Sequence, residues 1–402
     1  MDRLAELGMN GLFHADRWGV ALPSENAHFS MFGYGKDEFP GRGILEALGA
    51  GIDVAPGDVA LLAHFVHAEE QEGVLILKND KPPAESDDVA AIFGAVASHE
   101  LEDVRIRLTQ THRLRGIVTL QGAVSRYVTD TDPIWMEKPL LEPRPWKSAT
   151  GDRGADRTAR VLRSYLLHCH RLLAGHPVNR ARADRGALPL NTLVTQRAGQ
   201  MKSVEPFPRR WGLRGLSIAS AIVYWGLAGF LGMDVRKVAD GPDAGADLAE
   251  RLDLALSSLE TYDFIHIHTK APDEAAHRRN PTAKKEAIEA LDRGIGQVIE
   301  RLLGNPEILV VLTSDHSTPS VGSLIHSGEP VPMTLVGREV RRDEVCRFNE
   351  VDCVSGALGF VRGAEFMPLV LNWLDRAKLQ GLMDTPENRP FWPGVTVPLR
   401  VE

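Results

Sequence analysis

Two stretches decide how this chain is read: His268-Thr-Lys-Ala-Pro-Asp273-Glu-Ala-Ala-His277, and Leu312-Thr-Ser-Asp315-His316 with His326 ten residues further on. Each follows an apolar, strand-like run, 263–268 for the first and 308–313 for the second. Helical patterns at 247–260 and 284–303 precede those runs, and a strand pattern at 331–336 follows the His326 loop. Regular alternation of this kind predicts an α/β domain around a mostly parallel sheet, in which side chains leaving the carboxyl ends of the strands gather on one edge. Asp273, Asp315 and His316 fall just past strand ends, and Asp273 and His277, four apart, share one face of a helical turn. Singly, each reads as a solvated polar residue. Jointly, two carboxylates and three imidazoles make a donor set for two divalent cations such as Mn²⁺, Zn²⁺, Co²⁺ or Mg²⁺, not for a soft thiolate site. A pair of such ions implies phosphate-ester chemistry.

Working outward, 402 residues suffice for a large core and two domains. A hydrophobic fraction of 43% and a charged fraction of 25% are ordinary for a globular chain. The net charge of −8 argues against a general nucleic-acid binder. Three cysteines, Cys169, Cys346 and Cys353, show no CxxC spacing, which favours a reducing, cytoplasmic setting. No signal-peptide pattern opens the chain. The longest apolar run, 216–231, is short for a membrane span and reads as a buried helix over 217–232. Residues 2–9 read as a helix, 11–51 as rich in turns, 59–65 and 73–77 as strands, and 87–99 as a helix. Strands at 104–109 and 116–121 precede a loop at 133–155 and a helix at 155–174. A turn at 176–179, a strand at 190–195 and a final helix at 364–377 complete the reading.

Ser24, in Ser24-Glu-Asn-Ala-His28, reads from the residues alone as a turn or helix-capping serine. His112, Arg113, Arg115, Arg197, Arg209, Arg210 and Arg214 supply groups suited to phosphate and carboxylate, although solvation is the default for any one of them.

Taken together, these motifs resemble the archaeal-type, cofactor-independent phosphoglycerate mutases of the alkaline phosphatase superfamily. The resemblance runs through Ser24-Glu-Asn-Ala-His28, Gly41-Arg-Gly-Ile-Leu-Glu-Ala-Leu-Gly, Thr129-Asp-Thr-Asp132-Pro, His176-Pro-Val-Asn179, Arg197-Ala-Gly, Lys270-Ala-Pro-Asp273, Ser314-Asp315-His316 and His326-Ser-Gly-Glu-Pro. It implies an alkaline-phosphatase-like, doubly wound catalytic domain from residues 1–57 and 233–402, with a smaller α/β substrate-binding or lid domain, 58–232, inserted. It implies that Asp273, His277 and His326 hold one metal and that Asp315, His316 and Ser24 hold the other, with Mn²⁺ the first expectation. Ser24 would carry the phosphoryl group as phosphoserine while 3- and 2-phosphoglycerate interconvert, with no 2,3-bisphosphoglycerate needed. His112, Arg113, Asp132, Arg197 and Arg214 are the candidates for gripping a small phosphorylated carboxylate or phosphonate. No membrane or nucleic-acid partner is expected, and the chain would be a monomer or homodimer.

Two departures from that pattern are visible. Family members begin with a strand ending in Asp-Gly whose aspartate is a metal ligand; here Met1 stands inside the next element, so a truncated or misplaced start is expected. The family's arginine cluster after the first inserted strands is replaced by Lys78-Asn-Asp-Lys-Pro-Pro-Ala-Glu-Ser, which one lysine does not make good. Two further readings therefore stand beside the mutase: a phosphatase, phosphotransferase or phosphonate-ester hydrolase acting on another small substrate, and a non-catalytic paralogue.

Overall fold

The computed structural model describes residues 1–401. In chain order its strands are β1 (Met9–His14), β2 (Val59–Gln71), β3 (Val74–Asn79), β4 (Ser98–Leu101), β5 (Val104–His112), β6 (Arg115–Gln121) and β7 (Thr192–Gln200). They continue with β8 (Gly215–Ala219), β9 (Asp234–Lys237), β10 (Phe264–Ile267), β11 (Val310–Leu312), β12 (Val331–Val336) and β13 (Gly359–Arg362). The chain divides into two units, Met1–Phe39 with Val204–Glu402, and Pro40–Ser203.

The discontinuous unit carries two sheets, ordered β11-β12-β1-β13 and β10-β8-β9. Pairs β1–β13, β8–β9 and β8–β10 are parallel, and for the last two, helices Ile222–Phe230 and Ala244–Leu256 supply the crossovers that parallel neighbours need. β12 runs antiparallel to β1 and β11. All six residues of β1 are buried, so its sequence shows no alternation. Gly11 is required there: a Cβ would stand 2.4 Å from the Gly359 carbonyl oxygen. Helices Ala244–Leu256 and Pro281–Leu303 pack through Leu248, Leu291, Ile295 and Ile299 against Ile267, Val310 and Leu312. β10 and β11 end their sheets, and their apolar residues are only half-buried.

The inserted unit is an antiparallel sheet ordered β3-β2-β6-β5-β4, with β7 also on β2. Helices Ser86–Ala95 and Arg153–Ala174 cover one core: Phe65 meets Phe93 edge-on at 4.8 Å, and the Tyr165 hydroxyl donates to the Val96 carbonyl at 2.7 Å. Helix Arg42–Gly49 seals a second core through Ile44 and Ala47 on Ala60 and Ile117. Gly43 permits the approach, since a Cβ would lie 2.0 Å from the Ala60 oxygen.

Several sequence expectations need correction. The helix expected over 2–9 stops at Leu7 because Met9 begins β1, and the turn-rich 11–51 contains helices Ser24–Met31 and Arg42–Gly49. The apolar helix expected over 217–232 is β8 followed by helix Ile222–Phe230, broken at Ala221 with φ +73°. Residues 176–179 start helix Pro177–Asp184, with the His176 side chain capping Val178 N–H. The inserted unit also lies earlier in the chain than 58–232. Helix Arg42–Gly49 packs on β2 and β7, and β8 pairs with β9 and β10 in the other unit. Among the described residues no helix is long and apolar enough to cross a membrane.

Candidate metal centre

Four segments of the discontinuous unit meet here. Ser24 opens helix Ser24–Met31 after Pro23 in extended conformation, buried to 7% exposure. Its position at the helix start puts developing negative charge on Oγ near the positive end of the helix dipole. Asp273 and His277 lie on helix Ala271–His277 just past β10, and Asp315 and His316 lie just past β11. His326 sits in the loop before β12, which the Ser317–Ser327 bridge closes.

Asp273 Oδ1 is 3.2 Å from His277 Nε2 and 3.7 Å from His326 Nε2, and the two Nε2 atoms are 3.4 Å apart. His326 Nδ1–H donates to the Leu22 carbonyl at 2.7 Å, which leaves the Nε2 lone pair facing the cluster. Ligands about 2.1 Å from one ion stand roughly 3–3.5 Å apart, so this spacing suits a single cation.

Beside it, His316 Nε2 lies 2.9 Å from Ser24 Oγ and 3.2 Å from Asp315 Oδ2. Thr318 joins the clusters: its hydroxyl donates to Asp273 Oδ1 at 2.8 Å and therefore accepts from His316 Nδ1 at 3.2 Å. That assignment leaves His316 Nε2 unprotonated, so the Ser24 hydroxyl donates to it. Asp315 Oδ2 is buried without a hydrogen-bond partner. An orphaned carboxylate oxygen among imidazole lone pairs fits a second cation.

Electrostatics agree with this donor set. Burial lowers the pKa values of His277, His316 and His326 against the pull of the Asp273 and Asp315 carboxylates, which favours neutral rings at neutral pH. Burial alone would raise the Asp273 carboxyl, but the Lys270 ammonium, 3.1 Å away, and Thr318 hold it below the usual range.

The structure brings all six proposed ligands together. It adds residues that the sequence reading quoted without assigning a role. His28, through Nδ1–H, donates to the Ser24 carbonyl at 2.9 Å and stands 3.5 Å from Asp315 Oδ2. Ligand atoms of His28, His268 and Asp315 lie within 4.8 Å of one another, as do those of Asp273, His316 and His326. The Tyr224 ring lies tilted against His268 with centroids 3.9 Å apart, and buried Arg251 donates to the His268 carbonyl at 2.7 Å. His28 and His268 were findable as histidines flanking the two motifs; Tyr224, inside an apolar run, gave no signal beyond core packing.

Of the substrate candidates, Asp132 and Arg197 lie together in the inserted unit, joined through Gln196 and Asp130. His112 and Arg113 are exposed at the β5–β6 hairpin turn. Asp132 is buried in the inserted unit beside His64, 3.7 Å away, and accepts from Gln196. Burial lowers the His64 pKa against the pull of Asp132. Arg197, at φ +53°, donates its backbone N–H to Asp130 at 2.7 Å. Arg214 precedes β8 and pairs with Asp263 before β10. It therefore stands at the amino ends of the strands whose carboxyl ends lead to His268, which removes it from the expected grip.

Comparison with known proteins follows the same line. A family model described as 2,3-bisphosphoglycerate-independent phosphoglycerate mutase matches residues 5–179. A mutase of that description from Methanocaldococcus jannaschii is 37% identical over 402 residues, covering 98% of this chain and 90% of its own. One from Methanopyrus kandleri is 35% identical over 389 residues, covering 95% of this chain and 90% of its own. Among solved structures, a protein from Pyrococcus horikoshii superposes with a TM-score of 0.76 at 26% identity, over 95% of this chain and 91% of that one. A cofactor-independent phosphoglycerate mutase from Thermoplasma acidophilum gives 0.61 at 25% identity, over 93% and 91%. The family is metal-dependent, in keeping with the donor set. With this identity over nearly its whole length, the chain belongs to the 2,3-bisphosphoglycerate-independent phosphoglycerate mutase family.

Proposed function

We propose that this chain interconverts 3-phosphoglycerate and 2-phosphoglycerate by passing the phosphoryl group through Ser24. The observation that carries this reading is the Ser24 hydroxyl, buried at a helix start and 2.9 Å from His316 Nε2, beside two carboxylate–imidazole clusters. Asp273, His277 and His326 would hold one divalent ion, and Asp315, His316 and Ser24 another, with Mn²⁺ first and Zn²⁺, Co²⁺ or Mg²⁺ as alternatives. Such ions supply Lewis acidity that favours the serine alkoxide and neutralises phosphoryl charge.

Ser24 Oγ forms its bond to phosphorus as the glycerate oxygen–phosphorus bond breaks, giving phosphoserine and glycerate. Attack by the neighbouring glycerate hydroxyl then restores Ser24. One proton moves from the receiving hydroxyl to the departing oxygen, so the exchange needs no outside reactant. Lys270 keeps Asp273 anionic, and Thr318 keeps the His316 ring turned with Nε2 toward Ser24. For the inserted unit we propose substrate recognition, with the Asp132–His64–Gln196 cluster as its polar feature.

A second reading, transfer from a different small phosphate or phosphonate ester, is favoured by one observation. Lys78, in the segment that replaces the family's arginines, pairs with Glu137 at 2.7 Å, and Lys81 pairs with Asp80 at 3.1 Å. Incubation of Mn²⁺-loaded protein with 3-phosphoglycerate, followed by detection of 2-phosphoglycerate and of free phosphate, separates the two. Mutase turnover without phosphate release supports the first reading, and hydrolysis of p-nitrophenyl phosphate alone supports the second. Turnover that survives Ser24→Ala would remove the serine from both, and no turnover on either substrate would leave the non-catalytic reading.

A further inference from the structure

We propose that the phenol of Tyr224 is a catalytic residue of this phosphotransfer, donating its O–H to an oxygen of the phosphoryl group in transit at Ser24. The proposal rests on the reading of Ser24 above. Tyr224 is 1% exposed, and its hydroxyl is buried with no well-formed hydrogen bond among the described residues. Buried phenols ordinarily find one, and a group left without one calls for an explanation. Burial raises the pKa of this phenol, the Asp315, Asp273 and Glu25 carboxylates add to the rise and the Ser24 hydroxyl opposes it, so the oxygen faces Ser24 although no well-formed hydrogen bond joins the two.

The local chain fixes that direction. β8 ends at Ala219, Ala221 takes φ +73°, a conformation that costs a side chain, and Trp225 Nε1–H donates to the Ala219 carbonyl at 2.6 Å. The turn delivers Tyr224 onto the His268 ring at 3.9 Å and edge-on to His28 at 5.2 Å. Three more buried polar atoms without partners, Ser220 Oγ, His268 Nδ1 and Asp315 Oδ2, belong to segments leaving the carboxyl ends of β8, β10 and β11. Asp315 Oδ2 and a His268 lone pair suit a cation, whereas the Ser220 and Tyr224 hydroxyls are donors that a phosphoryl group would satisfy, since it brings three acceptors whose charge is spread further in the transition state. A neutral donor held in place without water is worth more there than in the ground state. Tyr224 keeps its proton throughout; the only bonds that change are Ser24 Oγ to phosphorus, formed, and ester oxygen to phosphorus, broken.

Tyr224→Phe removes the hydroxyl and keeps the ring against His268. Expected are a fall in kcat of about 10²-fold, unchanged KM and Mn²⁺ stoichiometry, and a melting temperature that does not drop. Binding of orthovanadate to the Mn²⁺-loaded protein, read by calorimetry, should weaken by about the same factor. A variant that matches wild type in kcat and in vanadate binding overturns the proposal, as does a lowered melting temperature with kcat intact, which would make the hydroxyl structural. If vanadate binds in a Tyr224-dependent way but phosphoglycerates do not interconvert, the tyrosine assignment stands and the mutase reading falls. If wild type neither turns over nor binds vanadate, both fall.

Discussion

The Arg182–Asn179 network of the inserted unit and the carboxyl ends of β8, β10 and β11 treat buried polar groups oppositely, although His67 Nδ1 in β2 and Asn10 Oδ1 in β1 are also without partners among the described residues. In the inserted unit Arg182, 1% exposed, spends its guanidinium on Asp88 at 2.6 Å, the Pro83 carbonyl at 2.7 Å and the Leu188 carbonyl at 2.8 Å. Asn179 donates to the carbonyls of Leu173 and Leu190 and accepts from Leu190 N–H at 2.8 Å. In the discontinuous unit, Asp315, Tyr224, His268 and Ser220 each carry a buried atom with no partner. Saturated networks hold a fold together; deficits gathered at strand ends destabilise it and persist where a ligand completes them.

Substitutions can break or sharpen that contrast. Asp315→Asn should cut turnover by about 10³-fold while leaving the melting temperature equal or higher, since an unpaired buried charge is removed; unfolding of this variant would erase the distinction. Arg182→Met should do the reverse, costing roughly 3 kcal/mol of stability because the Pro83 and Leu188 carbonyls lose their donor and Asp88 keeps only Arg185, with Mn²⁺ affinity unaltered by calorimetry. Thr318→Val tests the link between clusters: metal affinity should fall about tenfold, and Thr318→Ser should restore it.

The smallest effect concerns Asp343, whose carboxylate accepts from Asn10 N–H and Ala357 N–H through Oδ2, and from Asn10 Nδ2 and Val345 N–H through Oδ1. Burial would raise its pKa, but these four donors hold it below the usual range. Its contribution, about 1 kcal/mol for a partly exposed group, is present above the unfolded carboxyl value near pH 4 and is lost as pH falls through the lower folded one. Urea midpoints followed from pH 6 to pH 3 should converge for wild type and Asp343→Asn at the acid end. Parallel curves would assign the stabilisation elsewhere.

The candidate metal ligands were legible because strand-end position and i,i+4 spacing are local properties of sequence. Asp273 and His277 needed only one helical turn, and Asp315-His316 only the end of an apolar run. β1 was not legible, because a strand buried on both faces loses the alternation that marks strands. β8 vanished into an apolar run whose break is a single positive φ at Ala221, a feature that no alanine announces. The extent of the inserted unit was missed for a related reason. Helix Arg42–Gly49 joins it through non-local packing on β2 and β7, which periodicity does not report. Arg214 misled because a basic residue beside a motif gives no sign of which end of a strand it occupies.

β10 and β11 close their sheets with short apolar ladders that are half open to solvent. Open ladders offer main-chain donors and acceptors to any extended peptide, including another molecule of the same protein. The expected outcome of such pairing is scattering intensity per milligram that climbs as samples are concentrated, and Ile265→Lys or Val311→Lys should flatten that climb.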